Sequence, residues 1–226
     1  QASDIDIYKL PYQSKMTLFL MFDTSGSMGW GDNYGDVANR NSASSIYQDY
    51  NVCPWRNDGT SYRVDVSSES KSYQVGIRTA RTYSVNYCNV SASTYSGLTS
   101  TYKTRIANEC TKTNATLDNY KCYDRLSRLK IALAQVLSSS EISDTVRIGL
   151  GQFSSPTSTS ETSADGVSGR VVYPAVNLSD VNRENLIGAM VALNAYNGTP
   201  SASAYGESGA YFLGANTSGM NNSGYS

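Results

Sequence analysis

The stretch that most constrains this chain is Met16-Thr-Leu-Phe-Leu-Met-Phe22 followed by Asp23-Thr24-Ser25-Gly26-Ser27-Met28-Gly29. Thr17 to Phe22 is mostly apolar, partly aromatic and free of polar alternation. That pattern predicts a strand covered on both faces, as in a parallel sheet with helices above and below. The run breaks abruptly into one carboxylate, two hydroxyls on alternate residues and two glycines. Ligands of open α/β sheets sit at the carboxyl ends of the strands, which is where Asp23, Ser25 and Ser27 fall. Asp-x-Ser-x-Ser offers only hard oxygen donors, suited to magnesium, calcium or manganese rather than zinc or copper. The plainer alternative is a Ser/Gly/Asp turn after a core strand.

Other chemistry is excluded by what the sequence lacks. Histidine is absent, so there is no Ser-His-Asp or Cys-His arrangement, no histidine zinc site and no histidine acid or base. Ser27 lacks the Gly-x-Ser-x-Gly setting of a hydrolase nucleophile, and no phosphate-binding glycine loop is present. A non-enzymatic protein is expected. The formal net charge is -1 with no basic run, which argues against nucleic acid or an anionic membrane as partner. Eighteen tyrosines against four phenylalanines predict half-buried rings with wet hydroxyls, equally at home in an interaction surface or in a Tyr-rich sheet.

From Trp30 to Cys122 the chain leaves the core pattern. Tyr62-x-Val64-x-Val66, Tyr73-x-Val75-x-Ile77 and Tyr83-x-Val85-x-Tyr87 alternate with period two and predict a three-stranded meander. Leu98, Tyr102 and Ile106 repeat as on a helix face. All four cysteines, Cys53, Cys88, Cys110 and Cys122, lie in this part without Cys-x-x-Cys spacing. Two disulfides in an oxidising compartment are expected. Three connectivities are open, of which Cys53 to Cys88 with Cys110 to Cys122 is the expected one. No segment is apolar enough to span a membrane and none reads as a signal peptide, so an exported protein would have lost its signal near Gln1.

The core pattern resumes at 124 to 138, where Leu126, Leu129, Leu133, Val136 and Leu137 step by three and four and predict an amphipathic helix. A strand follows over Val146 to Phe153. A second runs over Arg170 to Val176, with Pro174 marking an edge. Ser179 and Asp180 cap a helix expected to run to about Asn194, with Leu186, Met190 and Leu193 on one face. The order strand, helix, strand, strand, helix implies an α/β sheet with right-handed crossovers. In Tyr196-Asn197-Gly198-Thr199-Pro200-Ser201, Thr199 occupies the expected helix-cap position and Pro200 the first helical one.

Asp23-Thr24-Ser25-Gly26-Ser27 resembles the first segment of the metal-ion-dependent adhesion site of von Willebrand factor type A domains, and Thr199 in its loop resembles the second. The resemblance implies that the hydroxyls of Ser25, Ser27 and Thr199 touch a divalent cation while Asp23 acts through water. Magnesium is the expected ion, with manganese or calcium as substitutes. Asp4-Ile-Asp-Ile-Tyr8, shortly before the strand and the metal motif, is similar to the mature N-terminus of the PilC/PilY family of type IV pilus tip adhesins. The implied fold is a doubly wound, Rossmann-like type A domain formed by residues 1-29 and 123-226, with 30-122 inserted after the first core strand as a disulfide-stapled subdomain.

The implied role is that of an extracellular adhesin module at a bacterial pilus tip. It would bind minor pilins and a host-cell or surface receptor, the latter through a carboxylate on the metal. The alternative is a priming or assembly subunit in which the metal only stabilises the domain. One family element is missing: nothing after Leu213 resembles the apolar strand ending in Thr-Asp-Gly that carries the remaining metal-site aspartate. The domain is therefore expected to be incomplete in these 226 residues, with further polypeptide of the same adhesin pairing with Thr17 to Phe22.

Overall fold

The computed structural model describes residues 16–25, 28–29, 66–154, 168–195 and 199–215. Among them the fold is mixed α/β, with two sheets and five helices. The strands are β1 (Thr17–Phe22), β2 (Val66–Tyr73), β3 (Arg81–Val90), β4 (Thr111–Lys112), β5 (Tyr120–Tyr123), β6 (Arg147–Ser154) and β7 (Ser168–Asn177). The helices are α1 (Ala92–Ser96), α2 (Ser100–Glu109), α3 (Arg125–Ser138), α4 (Asp180–Val191) and α5 (Ser201–Leu213).

The first sheet has the order β1-β6-β7. β1 runs parallel to β6 in unbroken register from Thr17 opposite Arg147 to Phe22 opposite Gln152. β7 runs antiparallel to β6, with irregularities between Ile148 and Gly151. The expected core strands are thus found, and Pro174 lies in β7, an edge strand of the described sheet. Side chains alternate across the sheet. Leu20, Phe22, Ile148 and Leu150 pack under α3 and α4 with Ala134, Leu137, Leu186, Ile187 and Met190. Phe19 and Met21 point to the opposite face. There Phe19 meets Tyr211 of α5 with ring centroids 4.8 Å apart, and Met21 packs with Phe153 and Ala204. Gly149 and Gly151 leave room for the Phe19 and Met21 side chains, and Gly169 lets α5 approach through Ala204.

The second sheet has the order β2-β3-β5-β4 and is antiparallel throughout. The expected meander is corrected in its middle strand. Tyr73 ends β2, and Gln74 to Arg78 form the turn, with Gly76 at φ 51° and Ile77 100% exposed. Only glycine adopts that backbone conformation without cost, so the Tyr-x-Val-x-Ile alternation straddles a strand end. The strand proper is Val-Ser-Ser-Glu-Ser-Lys-Ser-Tyr, too polar at an edge to show in a hydrophobic pattern. Tyr62 and Val64 lie outside the described residues.

Tyr73, Val75, Tyr83 and Val85 of this hairpin share one buried cluster with β1, β6, α3 and α4. Val75 and Val85 are almost fully buried, each contributing about 1.5–3 kcal/mol. Arg78 and Arg81 also clasp Glu184 of α4. Partly exposed ion pairs contribute far less than that, so apolar burial is the main anchor of the hairpin. A smaller cluster of Cys88, Val90, Leu98, Ile106, Tyr120 and Cys122 lies under α1 and α2. It includes the Cys110–Cys122 disulfide, as expected. Cys88 is also disulfide-bonded, while Cys53 lies outside the described residues.

Two helix readings are adjusted. Val136 is 48% exposed rather than on the apolar face of α3, which is carried by Leu126, Ala134 and Leu137, with Leu129 and Leu133 partly buried against the core. α4 ends at Val191 with Ala192 as C-cap, short of Asn194. Its N-cap Ser179 accepts a hydrogen bond from the Asn182 N–H, and Leu186, Met190 and Leu193 are buried as expected.

Candidate metal site

The loop leaving β1 is built by its own side chains. Asp23 follows the last core residue, Phe22, and its Oδ1 accepts the Ser25 N–H at 2.8 Å. This is the two-residue turn that aspartate favours because its short carboxylate mimics a backbone acceptor. Thr24 and Ser25 are both 0% exposed. The Thr24 hydroxyl donates to the Phe153 carbonyl at 3.4 Å, tying the loop to the carboxyl end of β6. The Ser25 carbonyl accepts the Met28 N–H at 2.9 Å and turns the chain back. Ser27 lies outside the described residues.

Gly29 ends the described loop against the cap of α3. An ideal Cβ built on Gly29 would lie 2.6 Å from Asp124 Oδ2. Only glycine leaves room for this carboxylate. Asp124 is the N-cap of α3, accepting the Ser127 N–H, while its own N–H donates to Asn86 O at 3.2 Å. Burial pushes the Asp124 carboxyl above its ordinary range, against the Ser127 hydrogen bonds and the positive charge of Lys130. Sequence reasoning did not single out Asp124. Its signal was Asp-x-x-Ser directly before an apolar helical run, the pattern of a capping residue.

Thr199 stands at the other side of the candidate site, and the expected cap is corrected. Pro200 is the N-cap of α5, Ser201 is its first residue, and no side chain caps it. The Thr199 carbonyl accepts the Ser201 N–H at 2.9 Å, and its side chain is exposed. Proline at the cap leaves the tight turn to the preceding backbone carbonyl, so the threonine hydroxyl is released from capping. In the first turns of α5, Ala204 packs on Gly169 beside Met21 and Phe153. Helix α5 therefore starts at the same end of the sheet where β1 delivers Asp23.

The structure thus brings Asp23 and Ser25 into one turn and starts α5 at that end. It places no hydrogen bond between Thr199 and either residue. The donors are a carboxylate and hydroxyls, a set that fits a hard divalent cation and no soft metal. No cluster of three or more His, Cys, Asp or Glu side chains occurs among the described residues, so a carboxylate-rich calcium cage is not built by them.

Comparison of the chain with family models, with curated proteins and with solved structures gave no match.

Proposed function

We propose that the loop after β1 holds a divalent cation, magnesium by preference, and that the chain belongs to a von Willebrand factor type A domain acting as an adhesin module at the tip of a bacterial type IV pilus. The observation that carries this reading is the Asp23–Ser25 turn at the carboxyl end of β1, where the strand parallel to β6 ends in the buried Phe22. It is tied there to the carboxyl end of β6 through Thr24 and Phe153. The strand order β7-β6-β1, with helices on both faces, is in keeping with one half of a doubly wound sheet.

In this reading Ser25, Ser27 and Thr199 would hold the ion through hydroxyl oxygens and Asp23 through a water. Bound there, the ion offers a strong electrostatic site for an acidic group of a receptor. The chain's own part is to keep that loop in place. The Asp23 carboxylate closes the turn, the Thr24 hydroxyl fixes it to β6, and Gly29 lets it lie against the α3 cap. The disulfide-bonded part carrying Cys88, Cys110 and Cys122 agrees with an exported protein. Minor pilins and a host-cell or surface receptor are the proposed partners.

The test is attachment of purified protein to host cells and matrix, with and without EDTA, alongside calorimetric titration with Mg2+. Ser25→Ala should lose both the Mg2+ heat and the EDTA-sensitive attachment. Mg2+ binding with attachment indifferent to EDTA would leave the cation a purely structural role in a pilus-assembly subunit. No Mg2+ binding at all would sink the cation reading.

A further inference from the structure

Three cysteines stand side by side across the second sheet. In the run β3-β5-β4, β5 lies between the other two strands. Its Cys122 is opposite Cys88 of β3 in the antiparallel register. On the other side, Thr111 opposite Lys121 and Lys112 opposite Tyr120 carry the register on to Cys110, whose Cα lies 4.5 Å from that of Cys122. Residues opposite one another on neighbouring strands turn their side chains to the same face, with Cβ atoms about 4.5–5.5 Å apart. All three do so here: Cys88, Cys110 and Cys122 pack in one cluster with Val90 and Ile106.

Cys122 is bonded to Cys110. Cys88 is held in a second disulfide, which the expected pairing gives to Cys53. The Cys122 sulfur therefore has its bonded partner on the β4 side and another cysteine on the β3 side. A thiolate attacks one sulfur of a disulfide and displaces the other, and it does so from the side opposite the bond that breaks. A row of residues running straight across three strands supplies that alignment, with Cys122 as the central atom. Cys88 and Cys122 are 0% and 1% exposed, while Cys110 is half-buried. Burial shuts external thiols away from Cys122, but it does not shut out Cys88.

We propose that Cys88, Cys122 and Cys110 form a thiol–disulfide relay, which moves the covalent staple from β5–β4 to β5–β3 once the Cys88 disulfide is opened. Opening takes a dithiol reductant, which leaves as its own disulfide while Cys88 and its former partner become thiols. The Cys88 thiolate then attacks Cys122 Sγ. The Cys88–Cys122 bond forms, the Cys122–Cys110 bond breaks, and the electron pair leaves on Cys110, which takes up a proton. This second step consumes neither oxidant nor reductant.

The two staples hold different things. β3 and β5 pair from Tyr87 opposite Tyr123 to Val90 opposite Tyr120, so the new bond joins strands already in place. β4 pairs with β5 through Thr111 and Lys112, and the relay removes its covalent tie. Cys110 is also the C-cap of α2, its N–H donating to the Ile106 carbonyl at 2.9 Å. The relay is thus a redox switch: it places a thiol at the half-buried end of α2 and leaves that corner of the small core to non-covalent contacts. It rests on the register of the second sheet and is independent of the cation reading.

The Cys53→Ser variant has an odd cysteine whose position reads the relay without added reductant. Folded variant protein is held at about pH 8.5, near the ordinary thiol pKa, then quenched in acid, denatured, labelled with a maleimide and peptide-mapped. The label should fall mainly on Cys110, and a peptide linking Cys88 to Cys122 should appear. At about pH 5 its formation should slow by on the order of a thousandfold, following the thiolate fraction. Label on Cys88 with the Cys110–Cys122 bond intact would overturn the proposal. Should the variant not fold, the parent protein treated with limiting dithiothreitol and mapped in the same way decides. A Cys88–Cys122 link is expected there too, and products without it would overturn the relay.

Discussion

Gly29 and Asp124 are in contact across the whole inserted segment: a Cβ on Gly29 would meet Asp124 Oδ2 at 2.6 Å. The loop that follows β1 and the cap that begins α3 are therefore one structural unit, although 94 positions separate them. Gly29→Ala should destabilise the protein by about 1–3 kcal/mol, the usual cost of overpacking. Asp124→Ala alone should cost about 1 kcal/mol for the lost cap. Because truncating Asp124 makes room for the new methyl, the double variant should cost less than the sum of the two. Denaturant titration of the four proteins reads the coupling; strict additivity would show that the contact is not made.

The two acidic groups with opposite shifts predict opposite pH dependences. Glu69 is held at about 2, below its ordinary 4.5, by hydrogen bonds from Lys121, Lys71 and Tyr123. Its contribution to stability is complete above pH about 4.5 and is lost as pH falls towards 2. Asp124, raised by burial, behaves in the reverse sense. Its contribution is complete below its unfolded value of 3.8 and is lost as pH rises through the folded value. Glu69→Gln should flatten the acid limb of a melting-temperature profile. Asp124→Asn, which keeps a capping side chain, should gain stability relative to the parent as pH rises from 4 towards 7. An unchanged profile in either variant contradicts the corresponding assignment.

Gly169 sets the approach of α5, since its Cβ would lie 2.8 Å from Ala204 Cα. Backbone cannot give way as a flexible side chain can. Gly169→Ala should lower stability by about 1–3 kcal/mol and, by shifting the helix that follows Thr199, weaken Mg2+ binding. Calorimetry on folded variant protein separates the two effects. Undiminished Mg2+ affinity would detach Thr199 from the cation site.

The Cys110–Cys122 disulfide closes a sequence separation of 12 residues over the small core of Cys88, Val90 and Ile106. Replacing both cysteines by alanine should cost about 2–3 kcal/mol. Exchange should rise first in α2, β4 and β5, with β1 and β6 unaffected. Equal loosening of both sheets would show that they unfold as one unit.

Much of this architecture was legible before any coordinates. The unbroken apolar run Thr17 to Phe22 marks a strand, and the structure pairs it in parallel with β6, although only Phe22 is buried and Leu18 is exposed. The three-and-four spacing of α3 and α4, with Ser179 ahead of the latter, marks helices by their one apolar stripe. The Asp23–Ser25 turn was legible for a similar reason: the aspartate bonds the backbone two residues on, so the information is local. β2 was misplaced because an edge strand of Ser, Glu and Lys has no apolar face to announce it, and the turn at Gly76 interrupts the alternation that runs on to Ile77. Thr199 was expected at the helix-cap position, which Pro200 takes instead.

What only the tertiary structure decided is what meets across long stretches of chain. Asp124 against Gly29, Glu184 between Arg78 and Arg81, and Tyr211 on Phe19 depend on how elements pack, and no spacing along the sequence encodes them. By itself the sequence determined the strands β1, β6 and β7 and the helices α3 and α4, because propensity and burial pattern act over a few residues. Which carboxylate lies beside the loop after β1 was decided by packing, where the shape of one side chain selects its neighbour from anywhere in the chain.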